Sequence, residues 1–221
     1  MADMPAALAR GAAQLGVALD ESQRSQLLKL ATELLRWNKA YNLTAITDPD
    51  AVLTHHLLDS LAVAADLHGT AVADVGTGAG FPGLPLAIVH PARQFTLIDT
   101  VDKKLRFIDH AVRELGLANV KTLHARVETL LPGHGAMRTF DTVISRAFAP
   151  LPRMLQLVAP LCDERTRVLA MVGRWPPADA AEAVIPDGWR LESERPLSVP
   201  GLAAERHILC LMRSPNPAAG H

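Results

Sequence analysis

Between Asp74 and Gly83 the chain reads Asp-Val-Gly-Thr-Gly-Ala-Gly-Phe-Pro-Gly, a buried strand breaking into a glycine-rich turn and then a helix. Glycine lets the backbone take φ > 0 and approach a ligand that a Cβ would push away. The free N–H groups of the following helix point to the same spot. These residue types in this order suit a nucleotide-like cofactor. Gln94–Asp99 reads as a second strand ending in a carboxylate. Asp99 follows Gly76 by 23 residues, near the spacing of about 20 at which an acidic residue accepts from ribose hydroxyls in doubly wound folds. An ordinary tight strand-to-helix turn would explain the glycines alone, but not the two acidic strand ends as well.

The spacing narrows the cofactor. A dinucleotide fingerprint, G-x-G-x-x-G, needs glycine where Phe81 stands. The pattern is G-x-G-x-G after an acidic strand end, and it resembles the S-adenosylmethionine loop of Rossmann-like methyltransferases. Asp99 does not separate the two cofactors, since both carry a ribose.

Elements that would position these groups follow from periodicity. Asp20 caps a predicted helix with Leu27, Leu28, Ala31, Leu34 and Leu35 at helical spacing, a stripe extended by Trp37 and Tyr41. Thr47-Asp48-Pro49 starts another, with proline where its missing N–H costs nothing. After Gly69 the pattern alternates. Strands are predicted at Ala71–Val75, Phe95–Asp99, Val120–Ala125, Phe140–Ser145 and Arg167–Val172. Helices are predicted at Leu84–Val89, Asp102–Leu115 and Met154–Ala159 with its flanks. Trp189–Pro196 and Glu205–Arg213 read as a closing antiparallel pair. The fold class is α/β: a doubly wound, mostly parallel Rossmann-like sheet with an antiparallel C-terminal pair and an N-terminal helical extension. Residues 1–70 are assigned to that extension, 71–213 to the catalytic domain and 214–221 to a frayed tail. Ligands in such sheets bind beyond the carboxyl ends of the strands. The glycine loop, Asp99, Arg126-Val127-Glu128 and Ser145-Arg146-Ala147-Phe148 should therefore meet.

Of the 221 residues, 49% are apolar and 20% charged, enough for a sizeable core and against global disorder. A net charge of −1 excludes a uniformly basic coat. Residues 1–70 nevertheless hold 5 Lys+Arg against 8 Asp+Glu, and residues 101–126 hold 6 against 3, so one face could suit an anionic partner. Cys162 and Cys210 sit in apolar surroundings and read as small buried hydrophobes, with neither a disulfide framework nor a metal site implied. A reduced, cytoplasmic setting is expected. The first residues show no signal peptide, and no apolar run is long enough to span a bilayer.

Methyl transfer from a sulfonium needs nucleophile and methyl carbon held in line. Methylation at cytosine C5 requires a cysteine nucleophile, and neither cysteine stands at a predicted strand end. Methylation of exocyclic amines usually shows an Asn/Asp-Pro-Pro-aromatic loop after the fourth strand, where this chain has Ser145-Arg146-Ala147-Phe148. A ring nitrogen such as guanine N7 already presents its lone pair and needs only positioning. Arg146 could donate to a guanine edge or a phosphate, and Phe148 or Phe81 could supply a stacking surface. A solvated or ion-paired arginine is the plainer reading of Arg146. Lys103, Arg106, His110 and Arg113 share the helix face opposite the leucines, either to track a phosphate backbone or to solubilise the helix. His55 and His56 have no metal partners at ligand spacing and read as packing histidines.

Several further motifs resemble one bacterial family: Arg36–Thr44 (RWNKAYNLT), His56–Ser60 (HLLDS), the run Asp74–Gly83, Arg126-Val127-Glu128, Ile144–Phe148, Val199-Pro200-Gly201-Leu202 and Glu205-Arg206-His207. In this order, from about Leu34 to Arg213, they resemble the 16S ribosomal RNA guanine-N7 methyltransferase G family, also called glucose-inhibited division protein B. The resemblance implies S-adenosylmethionine as donor and a guanine in the decoding-region loop of small-subunit RNA as acceptor. Position by position it implies that Gly76 and Phe81 contact the cofactor, with Asp99 on its ribose and Val127 and Glu128 at its adenine; Gly78 joins them on the reading of the glycine loop itself. It puts Arg146, the candidate catalytic residue, where cofactor and substrate meet. No metal and no membrane are implied. Lys103, Arg106, Phe148 and Arg174 are the candidate RNA contacts. One departure stands out: the family usually shows Leu-Lys-Gly after the fifth strand, and here the lysine position is Val172. Arg174 is the expected substitute. A methyltransferase acting on a small molecule or protein, and a non-catalytic nucleotide-binding module, remain open alternatives.

Overall fold

The computed structural model describes residues 3–130, 139–176 and 184–215. Of the tail assigned to residues 214–221, positions 216–221 lie outside the described residues.

Among the described residues one sheet of seven strands organises the fold: β1 (Ala71–Val75), β2 (Gln94–Asp99), β3 (Val120–His124), β4 (Thr142–Arg146), β5 (Arg167–Val172), β6 (Trp189–Pro196) and β7 (His207–Arg213). Their order is β3-β2-β1-β4-β5-β7-β6. The first five pair in parallel, and β7 runs antiparallel to both β5 and β6. The order reverses between β1 and β4, so a crevice opens beyond the carboxyl ends of those two strands.

Side-chain alternation along the strands feeds two cores. Val72, Leu97 and Ile144 join one, while Ala73, Ile98 and Val143 join the other. The first face is covered by α5 (Gly83–Val89) and α6 (Asp102–Leu115), together with the N-terminal helices α1 (Met4–Gln14) and α2 (Glu21–Tyr41). Leu8, Leu27, Leu30 and Leu34 are fully buried there, so the N-terminal helices share the sheet's core. The opposite face is covered by α7 (Leu151–Val158). The next N-terminal segment is one helical run with a wide turn: α3 (Pro49–Val52), a π-helical stretch (Leu53–Leu58) and α4 (Asp59–Leu61).

Local signals act as the sequence implies. Asp20 accepts from Gln23 N at 2.8 Å while the Gln23 side chain accepts from Asp20 N, a reciprocal cap. Gly116 ends α6 at φ +65°. Boundaries differ in several places. The apolar stripe of α2 stops at Trp37, because Tyr41 is 47% exposed. Arg146 closes β4, in register with Met171, instead of standing in the loop after it. Helix α7 starts at Leu151, within the flank expected before Met154. Strand β7 starts at His207, leaving Glu205 and Arg206 outside the ladder.

The start of the sheet depends on Asp141. Its Oδ2 accepts from Thr70 N at 2.7 Å and Ala71 N at 2.8 Å. These bonds hold its carboxyl below the usual range. Gly69 is left-handed above it, where a Cβ would collide with the Asp141 side chain. Asp141→Ala leaves two strand-end donors unpaired. It should lower the unfolding free energy by about 1–3 kcal/mol, read as a reduced urea midpoint at unchanged slope.

Candidate active site

The glycine loop is held from three sides. Gly76 N and Thr77 N donate to Ile98 O at 2.9 and 3.1 Å, tying the loop to the end of β2. Asp74 Oδ2 accepts from Thr77 Oγ1 at 2.6 Å and from Gly83 N at 2.8 Å, joining the loop to the first turn of α5. Burial pushes the Asp74 carboxyl up to about 6, against the pull of those two donors. Asp99 Oδ2 accepts from Gly78 N at 2.8 Å and its Oδ1 from Val101 N at 2.9 Å. The residue expected at the cofactor ribose thus also fixes the loop.

Two neighbouring cavities lie on this crevice, of about 630 and 650 Å³, and they share Gly76, Lys104, Ala147 and Ala149. The smaller is bordered by Asp99, Val127, Glu128 and Phe148. The larger is bordered by Gly78, Phe81 and Arg146. All the residues expected at the cofactor therefore meet at one place, as does Phe148. The Phe148 ring covers Gly76: a Cβ there would come within 2.3 Å of it. Phe148 was expected to stack on RNA, and it stands instead on the Asp99 side of the crevice.

Lys103, Arg106 and Arg174 border neither cavity. Lys103 Nζ donates to Tyr41 O at 2.8 Å, and Arg106 pairs with Asp102 one turn earlier. His110, expected on the same basic face, turns toward α2: its Nε2 is 2.7 Å from Glu33 Oε2 and its ring lies 4.9 Å from that of Trp37. The predicted stripe is thus divided by the helix packed beside it. Arg174 is 89% exposed and paired with Glu205 at 3.2 Å. The positive charge at the larger cavity comes from Lys104, Arg146 and Arg206, the last in the segment before β7.

The larger cavity also holds side chains that spacing alone did not bring forward: Thr44, His56, Asp59 and Arg206. Arg146 Nη1 donates to His55 O at 2.7 Å and to Asp59 Oδ2 at 2.8 Å, and Arg146 Nη2 lies 3.3 Å from His56 Nδ1. A guanidinium only donates, so Nδ1 of His56 accepts and its proton sits on Nε2, 3.0 Å from Thr44 Oγ1. The His56 ring stacks on Phe81 at 4.6 Å. The histidine packs, as expected, but it does so as a wall of the cavity. Arg146 is ion-paired, as its plainer reading had it, and the pair faces the crevice.

Burial first, then the neighbouring Arg146, holds His56 down to about 3. In the unfolded chain it would protonate near 6.5. The unfolded state therefore binds one more proton between those values, and unfolding free energy rises with pH across that window. His56→Phe removes this term. The stability difference between wild type and variant should grow by about 1.4 kcal/mol per pH unit there. Asp74, raised from 3.8, contributes the opposite slope below about 6, but in both proteins, so it cancels. Urea titrations across the window check this, and a flat difference would mean that the ring titrates freely.

Cys162 and Cys210 are unpaired and border neither cavity. Burial pushes the Cys162 thiol up to about 12, and no thiol faces the crevice. Among the described residues no group of three His, Cys, Asp or Glu side chains is placed to hold a metal ion. No described helix is long and apolar enough to cross a membrane.

Residues 23–209 match the family described as GidB: rRNA small subunit methyltransferase G. The chain belongs to the rRNA small subunit methyltransferase G family. It is 46% identical over 214 residues to the ribosomal RNA small subunit methyltransferase G of Aromatoleum aromaticum, covering 95% of this chain and 99% of that one. It is 45% identical over 196 residues to the enzyme of that name from Aeromonas salmonicida, covering 89% and 91%. The fold is shared more widely. The SAM-bound magnesium protoporphyrin IX methyltransferase of Synechocystis superposes with a TM-score of 0.58 at 19% identity, over 89% of this chain and 99% of that one. TrmN of Thermus thermophilus gives 0.55 at 22% identity, over 81% and 52%. As a methyltransferase G family member, the protein is a methyltransferase.

Proposed function

We propose that the protein transfers a methyl group from S-adenosylmethionine to N7 of a guanine in the decoding-region loop of 16S ribosomal RNA. The family match over residues 23–209 carries this reading. The residues that would hold the donor fit it. A Cβ on Gly78 would project into open space beside Lys104 Nζ, so this bend leaves room that only a glycine keeps. Asp99 reaches the smaller cavity with a carboxylate that has lone pairs to spare beyond its two backbone donors. Val127 and Glu128 would flank the adenine, and Phe148 lies on the same side. When bound, the donor supplies an electrophilic methyl carbon on a sulfonium.

The protein's own share is orientation. Guanine N7 attacks through its existing lone pair, so no general base is required. Holding the nucleophile in line supplies most of the acceleration. Arg146, fixed by three hydrogen-bond partners, keeps further N–H donors for the guanine edge or a neighbouring phosphate. The thiol-dependent route to carbon methylation has no nucleophile at the crevice. Lys103 and Arg106 are exposed and would meet the RNA backbone outside the cavity, each first giving up or sharing its present partner. Such a substrate puts the enzyme in the cytoplasm with the small ribosomal subunit as partner.

The test is to incubate the enzyme with radiolabelled S-adenosylmethionine and small-subunit particles, then map the label by N7-specific strand cleavage. One labelled guanine in 16S RNA is expected. Label confined to protein or to a small molecule would overturn the reading.

A further inference from the structure

Asp59 is 1% exposed at the start of α4, among Leu57, Leu58 and Leu61. Its carboxylate stands between two guanidiniums from distant parts of the chain. Oδ2 accepts from Arg146 Nη1 at 2.8 Å, and Oδ1 lies 3.3 Å from Arg206 Nε without receiving a hydrogen bond from it. Both arginine side chains keep part of their surface open, 19% for Arg146 and 27% for Arg206. Arg206 is otherwise held by one bond, from Nη1 to Glu205 O. One carboxylate against two guanidiniums leaves one positive charge uncompensated on the cavity wall. Because both guanidiniums stay partly open to the cavity, that surplus charge is available to an anion from outside.

We propose that Asp59 is a positioning residue that aims Arg146 and Arg206 together at a backbone phosphate of the RNA strand, leaving a surplus of one charge for it. This rests on the functional reading above. Asp59 touches no reacting atom. It comes from the N-terminal helical run, Arg146 from β4 and Arg206 from the segment before β7, so one carboxylate ties three parts of the chain to one anion site. A second charge surplus would attract RNA more strongly but in no fixed register.

Asp59→Asn separates these roles. The variant keeps an oxygen acceptor for Arg146 and frees one more positive charge. Binding of a single-stranded RNA oligonucleotide of the target loop should be as tight or tighter, its log–log salt slope steeper by about one. The single-turnover methylation rate on small-subunit particles should fall about 100-fold, the usual cost of a misplaced reacting group. S-adenosylmethionine affinity by calorimetry should stay within about threefold of wild type, a difference below 0.7 kcal/mol. Asp59→Asn/Arg206→Gln removes carboxylate and one guanidinium together, guarding against misfolding. It should bind RNA with the wild-type salt slope and methylate slowly. A wild-type rate in Asp59→Asn would overturn the proposal, as would parallel loss of rate and RNA binding in both variants. A large fall in cofactor affinity would also overturn it, because the arginines would then serve the donor's own carboxylate. A wild-type enzyme that methylates no RNA would count against the functional reading alone, and the RNA-binding slopes would still decide the role of Asp59.

Discussion

Gly78→Val should abolish S-adenosylmethionine binding, with affinity at least 100-fold weaker by calorimetry, while the protein stays folded. Of the three loop glycines, Gly78 is the one whose replacement reports on the ligand. A Cβ at Gly76 would meet the Phe148 ring at 2.3 Å, and one at Gly80 would meet Leu84 at 2.5 Å, so changes there disturb packing first. At Gly78 only Lys104 Nζ comes near, at 4.0 Å. The added atoms enter space the protein itself does not use. Gly78 has φ +63°, which costs an L residue about 1–2 kcal/mol and a β-branched one more. That penalty is small enough for a domain stable by about 5–15 kcal/mol to absorb. Gly78→Ala separates the contributions: it carries the strain with less bulk and should bind the donor more weakly than wild type but better than valine. Equal affinity in all three proteins would mean that the donor does not lie against this bend.

How far the sequence reveals this site depends on where each contact comes from. The loop was readable because its glycines, Asp74 and Asp99 act within one β-α-β unit, and spacing along the chain translates directly into proximity. The strands were readable because β1, β2, β4 and β5 are buried on both faces and appear as apolar runs. Their ends were not, since a strand stops where its neighbour stops offering partners: Arg146 joins β4 because Met171 stands opposite. The wall of the larger cavity was hidden for a stronger reason. Asp59 and Arg146 are 87 residues apart, and only the packing of the N-terminal helices on the sheet brings them together. Two signals were present: Thr44, His56, Asp59 and Arg206 all fall in the motifs that carry the family resemblance, and the helix itself carries the other. A carboxylate flanked by Leu57, Leu58 and Leu61 on a buried helix face needs a cation from elsewhere. The same logic explains Arg174. It follows the strand that usually carries a lysine, but the chain leaving the end of β5 carries its side chain into solvent beside Glu205, and the cavity takes its charge from Lys104, Arg146 and Arg206 instead.

Arg146→Ala should lose methyl transfer almost completely, with a single-turnover rate about 100- to 1,000-fold lower, the range for removing one preorganised donor from a developing charge. Cofactor affinity should stay within a few-fold, because the loop and Asp99 hold their geometry through backbone and carboxylate bonds that do not involve Arg146. Truncation also strips Asp59 of its hydrogen-bonded cation. Breaking a buried pair by removing one partner can cost about 3–5 kcal/mol, though Arg206 remains 3.3 Å away to soften the loss. Melting curves therefore accompany the rates. Arg146→Lys distinguishes stability from catalysis. It restores a cation beside Asp59 and should recover most of the stability, but a single ammonium cannot bond Asp59, His55 O and His56 at once and still present donors to a guanine edge. The lysine variant should be stable, bind the donor and remain slow. If it methylates at the wild-type rate, charge alone suffices and the planar fork has no role. If alanine retains full activity, Arg146 is structural, and positioning of the guanine must come from Arg206.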